Sequence, residues 1–357
     1  MNQEIKTLKQ EAIQLLKELI ATPSLSGEED KTALLIGQYI KKRGIPYKQK
    51  HNNIWAKNLH FDPDKLTLLF NSHHDTVPAN SGWKKDPWTP VTEDGKLFGL
   101  GSNDAGASLV SLLACFIHFY DQRDLAYNLI FSGTAEEETT GDKSIVSILN
   151  DIGKIDLAIV GEPTGMQMAV AEKGLMVLHC RAKGVAGHAA RDIGENAILK
   201  AMGDIEWFSR YKFPKISETL GPVKMTVSKI NGGVRHNIIP DTCEYLVDVR
   251  TTDVYTHEEI LDIINANISS EIYKLSNRLN PSSIPMDHPL VKAAEMLNIK
   301  TFGSPTLSDQ AQIPAPSVKM GPGLSERSHT ADEFVYLSEI EAGIDGYIAL
   351  LSKLLVS

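Results

Sequence analysis

The chain has 357 residues, of which 42% are hydrophobic and 23% charged, and a formal net charge of −9. At about 150 residues per domain, that length suggests two domains of ordinary globular composition. The acidic balance, with no basic cluster to neutralise phosphates, argues against a nucleic-acid partner, and no apolar run approaches the ~20 residues of a membrane span.

The elements follow in chain order. Gln3–Ala21 has helical periodicity, without an apolar leader core or cleavage site. Ser26 precedes Glu28 and Glu29 and reads as the N-terminal cap of a second helix over Glu28–Lys42. Asn53–Asn58 and Thr67–Asn71 read as strands, and "NDAGASLVSLLACFIHFYDQ" as an apolar helix led by small residues. "NLIFSGTA" and "DLAIVGEP" are further strands. Apolar strands alternating with helices predict an α/β domain, a mixed, mostly parallel sheet covered on both faces. After about Met168 the pattern changes: "GLMVLHCRAKGVA", "PVKMTVSKING" and "TCEYLVDVRTT" alternate as half-exposed antiparallel strands do. Helical patterns at Asn196–Tyr211 and His257–Leu275 fall between and after them. The first style returns after residue 283 with "HPLVKAAEML", "APSVKMGPG" and a last helix over Ser338–Leu355. The expected organisation is an α/β domain, 1–167 and 283–357, interrupted by an α+β insertion, 168–282. Cys115, Cys180 and Cys243 are odd in number, well separated and in apolar surroundings, so buried thiols in a reducing cytoplasm are expected.

In such sheets ligands gather beyond the carboxyl ends of the strands. "NSHHDTVP" places His73, His74 and Asp75 at one such end, "GLGSNDAGAS" adds Asp104, "TAEEETTG" adds Glu136, Glu137 and Glu138, "GEPT" adds Glu162, and "SERSHTADE" adds His329. Carboxylates gathered in one place repel one another unless a cation neutralises them, and imidazole mixed with carboxylate suits zinc and related divalent ions. Residues two apart in a strand share a side, so His73 and Asp75 belong together while His74 points away and is structural. Glu137 and Glu138 are adjacent, so the chain must leave the strand before both can face one site.

Taken in order, "SHHDTVP", "GLGSND", "TAEEE", "GEPT" and "HTADE" resemble the M20 family of two-zinc peptidases and deacylases, and within it the acetylornithine deacetylase and succinyl-diaminopimelate desuccinylase branch. Leu100 stands where that family's loop often has arginine. The resemblance covers nearly the whole chain. It implies two Zn²⁺ ions, with Co²⁺ or Mn²⁺ as substitutes, bridged by Asp104. His73 and Glu162 complete one ion's ligands, and Glu138 and His329 the other's. Glu137 is then the general base and Asp75 the partner of His73. The insertion is a lid that forms a homodimer interface, and His188 of "GVAGHAA" is an oxyanion donor to the partner's site. Asn237 and Arg250 contact substrate. The implied reaction is hydrolysis of an N-acyl amino acid, N-acetylornithine first and N-succinylornithine second, in arginine biosynthesis. N-acetylcitrulline, succinyl-diaminopimelate, a dipeptidase or aminopeptidase activity, and a metal-binding scaffold without turnover are the alternatives.

Overall fold

The computed structural model describes residues 3–191 and 193–355. Contacts divide them into two units: 1–170 with 283–302 and 308–357, and 171–282 with 303–307.

The first unit is built on a mixed sheet. Asn53–Lys57 pairs antiparallel with Asn128–Thr134, which runs parallel to Thr67–His73; Leu157–Val160 and Ser317–Lys319 continue the parallel centre, and Met168–Glu172 turns antiparallel again. Alternation along each strand serves two cores. Leu68, Phe70, Leu129, Phe131, Leu157, Ile159 and Val318 pack on helices Gln3–Ile20, Asp30–Lys41, Ala107–Phe119 and Leu337–Leu355. Trp55, Leu69, Ile130, Ala158 and Val160 pack on Ile145, Ile148, Ile152 and Ile313. With both faces covered, Thr67–His73 and Asn128–Thr134 are buried at every position. Their register pairs His73 with Thr134, so both chains leave the sheet side by side at its carboxyl edge. A three-stranded sheet of Val91–Glu93, Lys96–Phe98 and Phe334–Tyr336 stands apart from it.

Ser26 does not cap the second helix. That helix begins at Asp30, and the Ser26 hydroxyl donates instead to Asp75 Oδ2 at 2.7 Å. A serine followed by acids imitates a local cap, but the buried carboxylate is the stronger acceptor.

The second unit packs helices Ala197–Arg210 and His257–Asn265 on a four-stranded antiparallel sheet. Its order is Lys224–Gly232, Thr242–Thr251, Gly174–Lys183, Glu271–Leu279. The helical reading through Leu275 is therefore wrong. The helix stops at Asn265, and Glu271–Leu279 is an edge strand paired with Gly174–Lys183. Asp204 explains the break: its buried carboxylate accepts the amides of Ser269 at 3.0 Å and Ser270 at 2.9 Å, and the Ser270 hydroxyl at 2.5 Å. Those donors would otherwise continue the helix. All three cysteines are buried free thiols. Among the described residues no helix is long and apolar enough to cross a membrane.

Candidate metal centre

The strand ends deliver the site. Thr67–His73 ends on its histidine. The ring Nδ1 lies 3.0 Å from the backbone carbonyl of Asp75, an acceptor only, so the proton sits on Nδ1 and Nε2 is turned toward the cluster. His73 Nε2 lies 3.2 Å from Asp104 Oδ1 and 3.7 Å from Glu162 Oε1. On the other side, His329 Nε2 lies 3.1 Å from both Glu138 oxygens and 3.7 Å from Asp104 Oδ2. The two oxygens of Asp104 therefore face different imidazoles. His73 thus neighbours Asp104 and Glu162, and His329 neighbours Asp104 and Glu138.

These residues fit divalent ions. Donors about 2.0–2.1 Å from a tetrahedral zinc stand about 3.3 Å apart, and the imidazole–carboxylate separations of 3.1–3.7 Å match. Donor atoms of His73, Asp104 and Glu138 form one set, and those of His73, Glu137 and Glu162 another, the atoms within each set lying within 4.8 Å of one another. Without a cation the cluster is electrostatically uneasy. Burial, then the charges of Glu162, Asp309 and Glu138, lift the Glu137 carboxyl well above its ordinary range against the pull of His73. Burial, with the charges of Asp104 and Glu138, raises Glu162 likewise. Burial opposes charge on His73, yet its hydrogen bonds to Asp104 and Asp75 and the charges of Glu137 and Glu162 outweigh it and raise its pKa. The hydrogen bond to Glu138 brings His329 to about 9. A carboxylate-rich, imidazole-bearing pocket of this kind is what a metal ion stabilises.

Glu137 and Glu138 reach the site because the strand ends at Thr134 and Glu136 turns the chain with φ +55°. Asp75 holds that turn. Its Oδ1 accepts the Glu137 amide at 3.1 Å and its Oδ2 the Glu138 amide at 3.2 Å, while its Oδ1 is 3.5 Å from His73 Nδ1. The Asp75 carboxylate thus anchors Glu137 and Glu138 through their backbone, and the His73 ring is fixed by the Asp75 carbonyl. Glu136 is part of the turn, its amide on Glu29 and its carboxylate on the Lys143 amide. His74 faces away, bonded to Thr32 and to the Asn52 carbonyl.

The Asp104 loop owes its shape to glycine. A Cβ on Gly106 would sit 2.4 Å from the Gly101 carbonyl, so the loop can close on itself only without one. Two buried carboxylates that the sequence did not assign, Asp309 and Glu333, lie beside the candidate ligands. Asp309 accepts Asn71 Nδ2 and Thr134 Oγ1, both at 2.8 Å, tying together the strands that end in His73 and Thr134. Glu333 accepts backbone amides of the Asp104 loop, and burial with the nearby Asp104 charge brings it to about 8. "HTADE" ends in that glutamate and "TLSDQAQ" is a polar island near the motifs, but neither pattern reveals a backbone partner.

His188, Asn237 and Arg250 belong to the second unit. His188 lies in Gly187–His188, paired with Ile238–Ile239, and the Ala189 amide bonds the Asn237 carbonyl at 3.1 Å, so His188 and Asn237 are neighbours. The His188 Nδ1 accepts the Ala190 amide at 3.1 Å, which leaves the proton of the neutral ring on exposed Nε2. Arg250 forks onto Asp248 through Nε at 2.9 Å and Nη2 at 3.0 Å.

Comparison with known proteins adds the decisive observation. The profile of peptidase family M20/M25/M40 matches residues 69–353, which include His73, Asp104, Glu137, Glu138, Glu162 and His329. The chain belongs to peptidase family M20/M25/M40. It is accordingly a metal-dependent amidohydrolase. Acetylornithine deacetylase of Proteus mirabilis is 29% identical over 365 residues, covering 92% of this chain and 93% of that enzyme. Among solved structures, aminopeptidase PepT of Bacillus cereus aligns with a TM-score of 0.77 at 16% identity, over 97% of this chain and 98% of the other. A dinuclear metal-binding M20 peptidase of Bacillus subtilis aligns with 0.70 at 16% identity, over 98% of each. At those identities the likeness to the two structures is one of fold.

Proposed function

We propose that this M20 member removes the acyl group from a small N-acyl amino acid, N-acetylornithine first and N-succinylornithine second, using two Zn²⁺ ions. The observation that carries the two-ion reading is the Asp104 carboxylate, with one oxygen toward His73 and the other toward His329. His73, Asp104 and Glu162 would hold one ion; His329, Asp104 and Glu138 the other. The likeness to acetylornithine deacetylases along nearly the whole chain supports the acyl-amino-acid substrate and a place in arginine biosynthesis.

Bound divalent ions acidify water and polarise the amide carbonyl. Glu137 does the proton work: it takes a proton from the attacking water and delivers it to the amide nitrogen as the C–N bond breaks, giving a carboxylate and a free amine. Its amide, held by Asp75, keeps the carboxylate beside His73 and Glu162. The His188 Nε2–H donates to the developing oxyanion in the partner subunit's site. Asn237, beside His188, contacts the substrate. Arg250, braced by Asp248, offers its remaining N–H groups to the substrate α-carboxylate.

A homodimer through the second unit belongs to the same proposal. Leu199 and Met202 on the helix, and Ile230 and Val234 on and beside the edge strand Lys224–Gly232, are exposed apolar side chains next to an unpaired sheet edge. Light scattering should give twice the 39.3 kDa chain mass.

The test of substrate is amine release by the zinc-loaded protein from N-acetylornithine, N-succinylornithine, N-acetylcitrulline, succinyl-diaminopimelate and dipeptides. Preferred turnover of an acyl-ornithine, lost on chelation, is expected. Turnover of dipeptides alone would overturn the substrate assignment, and no turnover with metal bound would leave only a scaffold.

A further inference from the structure

Asp104 can face both imidazoles only if its loop is held in one conformation, and three observations show what holds it. The Glu333 carboxylate accepts the amide of Asn103 at 2.7 Å and of Asp104 at 3.0 Å through Oε1, and that of Gly101 at 3.2 Å through Oε2. Glu333 is placed there by register: Phe334 pairs with Phe98, and the next step bonds the Gly99 amide to the Glu333 carbonyl at 3.0 Å. In return, the Asn103 side chain donates to the Leu324 carbonyl and accepts the Leu324 amide, both at 3.0 Å. Gly323 makes room for that contact, since a Cβ there would lie 2.3 Å from Asn103 Oδ1. The loop that carries Asp104 and the segment that carries His329 are thereby fastened to each other at two points, more than two hundred residues apart in sequence.

We propose that Glu333 is a positioning residue of the metal centre, setting the Asp104 carboxylate between the two ion positions through the Gly101, Asn103 and Asp104 amides. The assignment rests on the two-ion reading above. An ordinary helix-capping role does not account for the contacts, because the bonded amides lie in and just before the irregular turn Ser102–Gly106, non-helical at Asp104 and Ala105, ahead of the regular helix that starts at Ala107. Three converging N–H groups need an acceptor on both side-chain oxygens. Glutamine has the same shape but puts its own N–H donors at one of those positions. Glu333→Gln therefore breaks the clamp with little change in packing.

The test is titration of the metal-free protein with Co²⁺, followed by visible absorption, for wild type, E333Q, E333D and D204N. Asp204 is the control, a buried carboxylate of the second unit that also accepts backbone amides, those of Ser269 and Ser270. Wild type should bind two equivalents. E333Q should bind 10–100-fold more weakly, the usual cost of losing support behind a metal ligand, with an altered absorption envelope. E333D keeps both acceptors with one methylene less reach and should fall between. D204N should lose thermal stability yet bind cobalt as wild type does. Wild-type affinity and spectrum in E333Q would overturn the assignment while leaving the two-ion site intact. Fewer than two equivalents in wild type would remove the two-ion reading and the assignment with it. Should E333Q not fold, wild-type affinity in E333D overturns the assignment equally.

Discussion

Glu137 and Glu138 are consecutive residues with different neighbours, and the proposal gives them different work on that ground. Glu138 meets His329; Glu137 lies among His73 and Glu162. Replacing Glu137 with Gln should leave metal content unchanged and cut turnover by about 10²–10⁴-fold, the range for a lost general base. Parallel metal analysis and amine-release assays check this, and unchanged turnover would refute the assigned role. Ser26→Ala removes the hydroxyl that bonds the buried Asp75 carboxylate. A hydrogen bond to a charged group is worth about 1.5–3 kcal/mol, so urea unfolding should show a loss of that order. Asp75, Asp104, Glu137, Glu162 and His329 could be singled out as candidates in the sequence because nearly all follow or adjoin an apolar run and together they form an ordered set of motifs. Ser26, Asp309 and Glu333 could not. Their partners are backbone amides or side chains far along the chain, such as Asn71 for Asp309, 238 positions away.

At the scale of elements, the parallel strands of the first unit were readable because burial on both faces writes an unbroken apolar run. The strand Glu271–Leu279 was not. It is an edge strand exposed along most of its length, so little alternation survives, and the preceding helix pattern runs into it. What separates helix from strand is Asp204, which lies in a different helix. Asp204→Ala strips the Ser269 and Ser270 amides and the Tyr245 hydroxyl of their acceptor. Leaving such buried donors unsatisfied costs about 1–3 kcal/mol, more for groups that faced a charge. Equilibrium unfolding should register a loss of at least that size, with protection from hydrogen exchange falling first in Glu271–Leu279. Unchanged protection there would mean that strand pairing alone sets the boundary.

Across the whole molecule, protons and metal ions compete for one site. In the metal-free protein His73, His329, Glu137, Glu162 and Glu333 all have raised pKa values. A raised folded-state value means that the folded chain binds more protons than the unfolded one, so stability present at low pH is lost as pH rises. For the glutamates the loss begins above the ordinary 4.5; for His329 it runs from 6.5 to about 9. Buried His74, its pKa lowered by burial, works the other way, while the Asp75 and Asp104 carboxyls, held below the ordinary 3.8, change stability only at lower pH than this interval. Metal binding needs the deprotonated ligands and strengthens over the same interval. The gap in Tm between zinc-loaded and metal-free protein should therefore widen from pH 5 to pH 9. A gap that narrowed would place the ions elsewhere. The measurement that bears most directly on the central claim is hydrolysis of an N-acyl amino acid against equivalents of zinc added to metal-free protein. The bridged site predicts no hydrolysis without metal and a rise that saturates at two ions per chain. Full hydrolysis by the metal-free protein, or saturation at one ion, would contradict an amidohydrolase built around a shared Asp104.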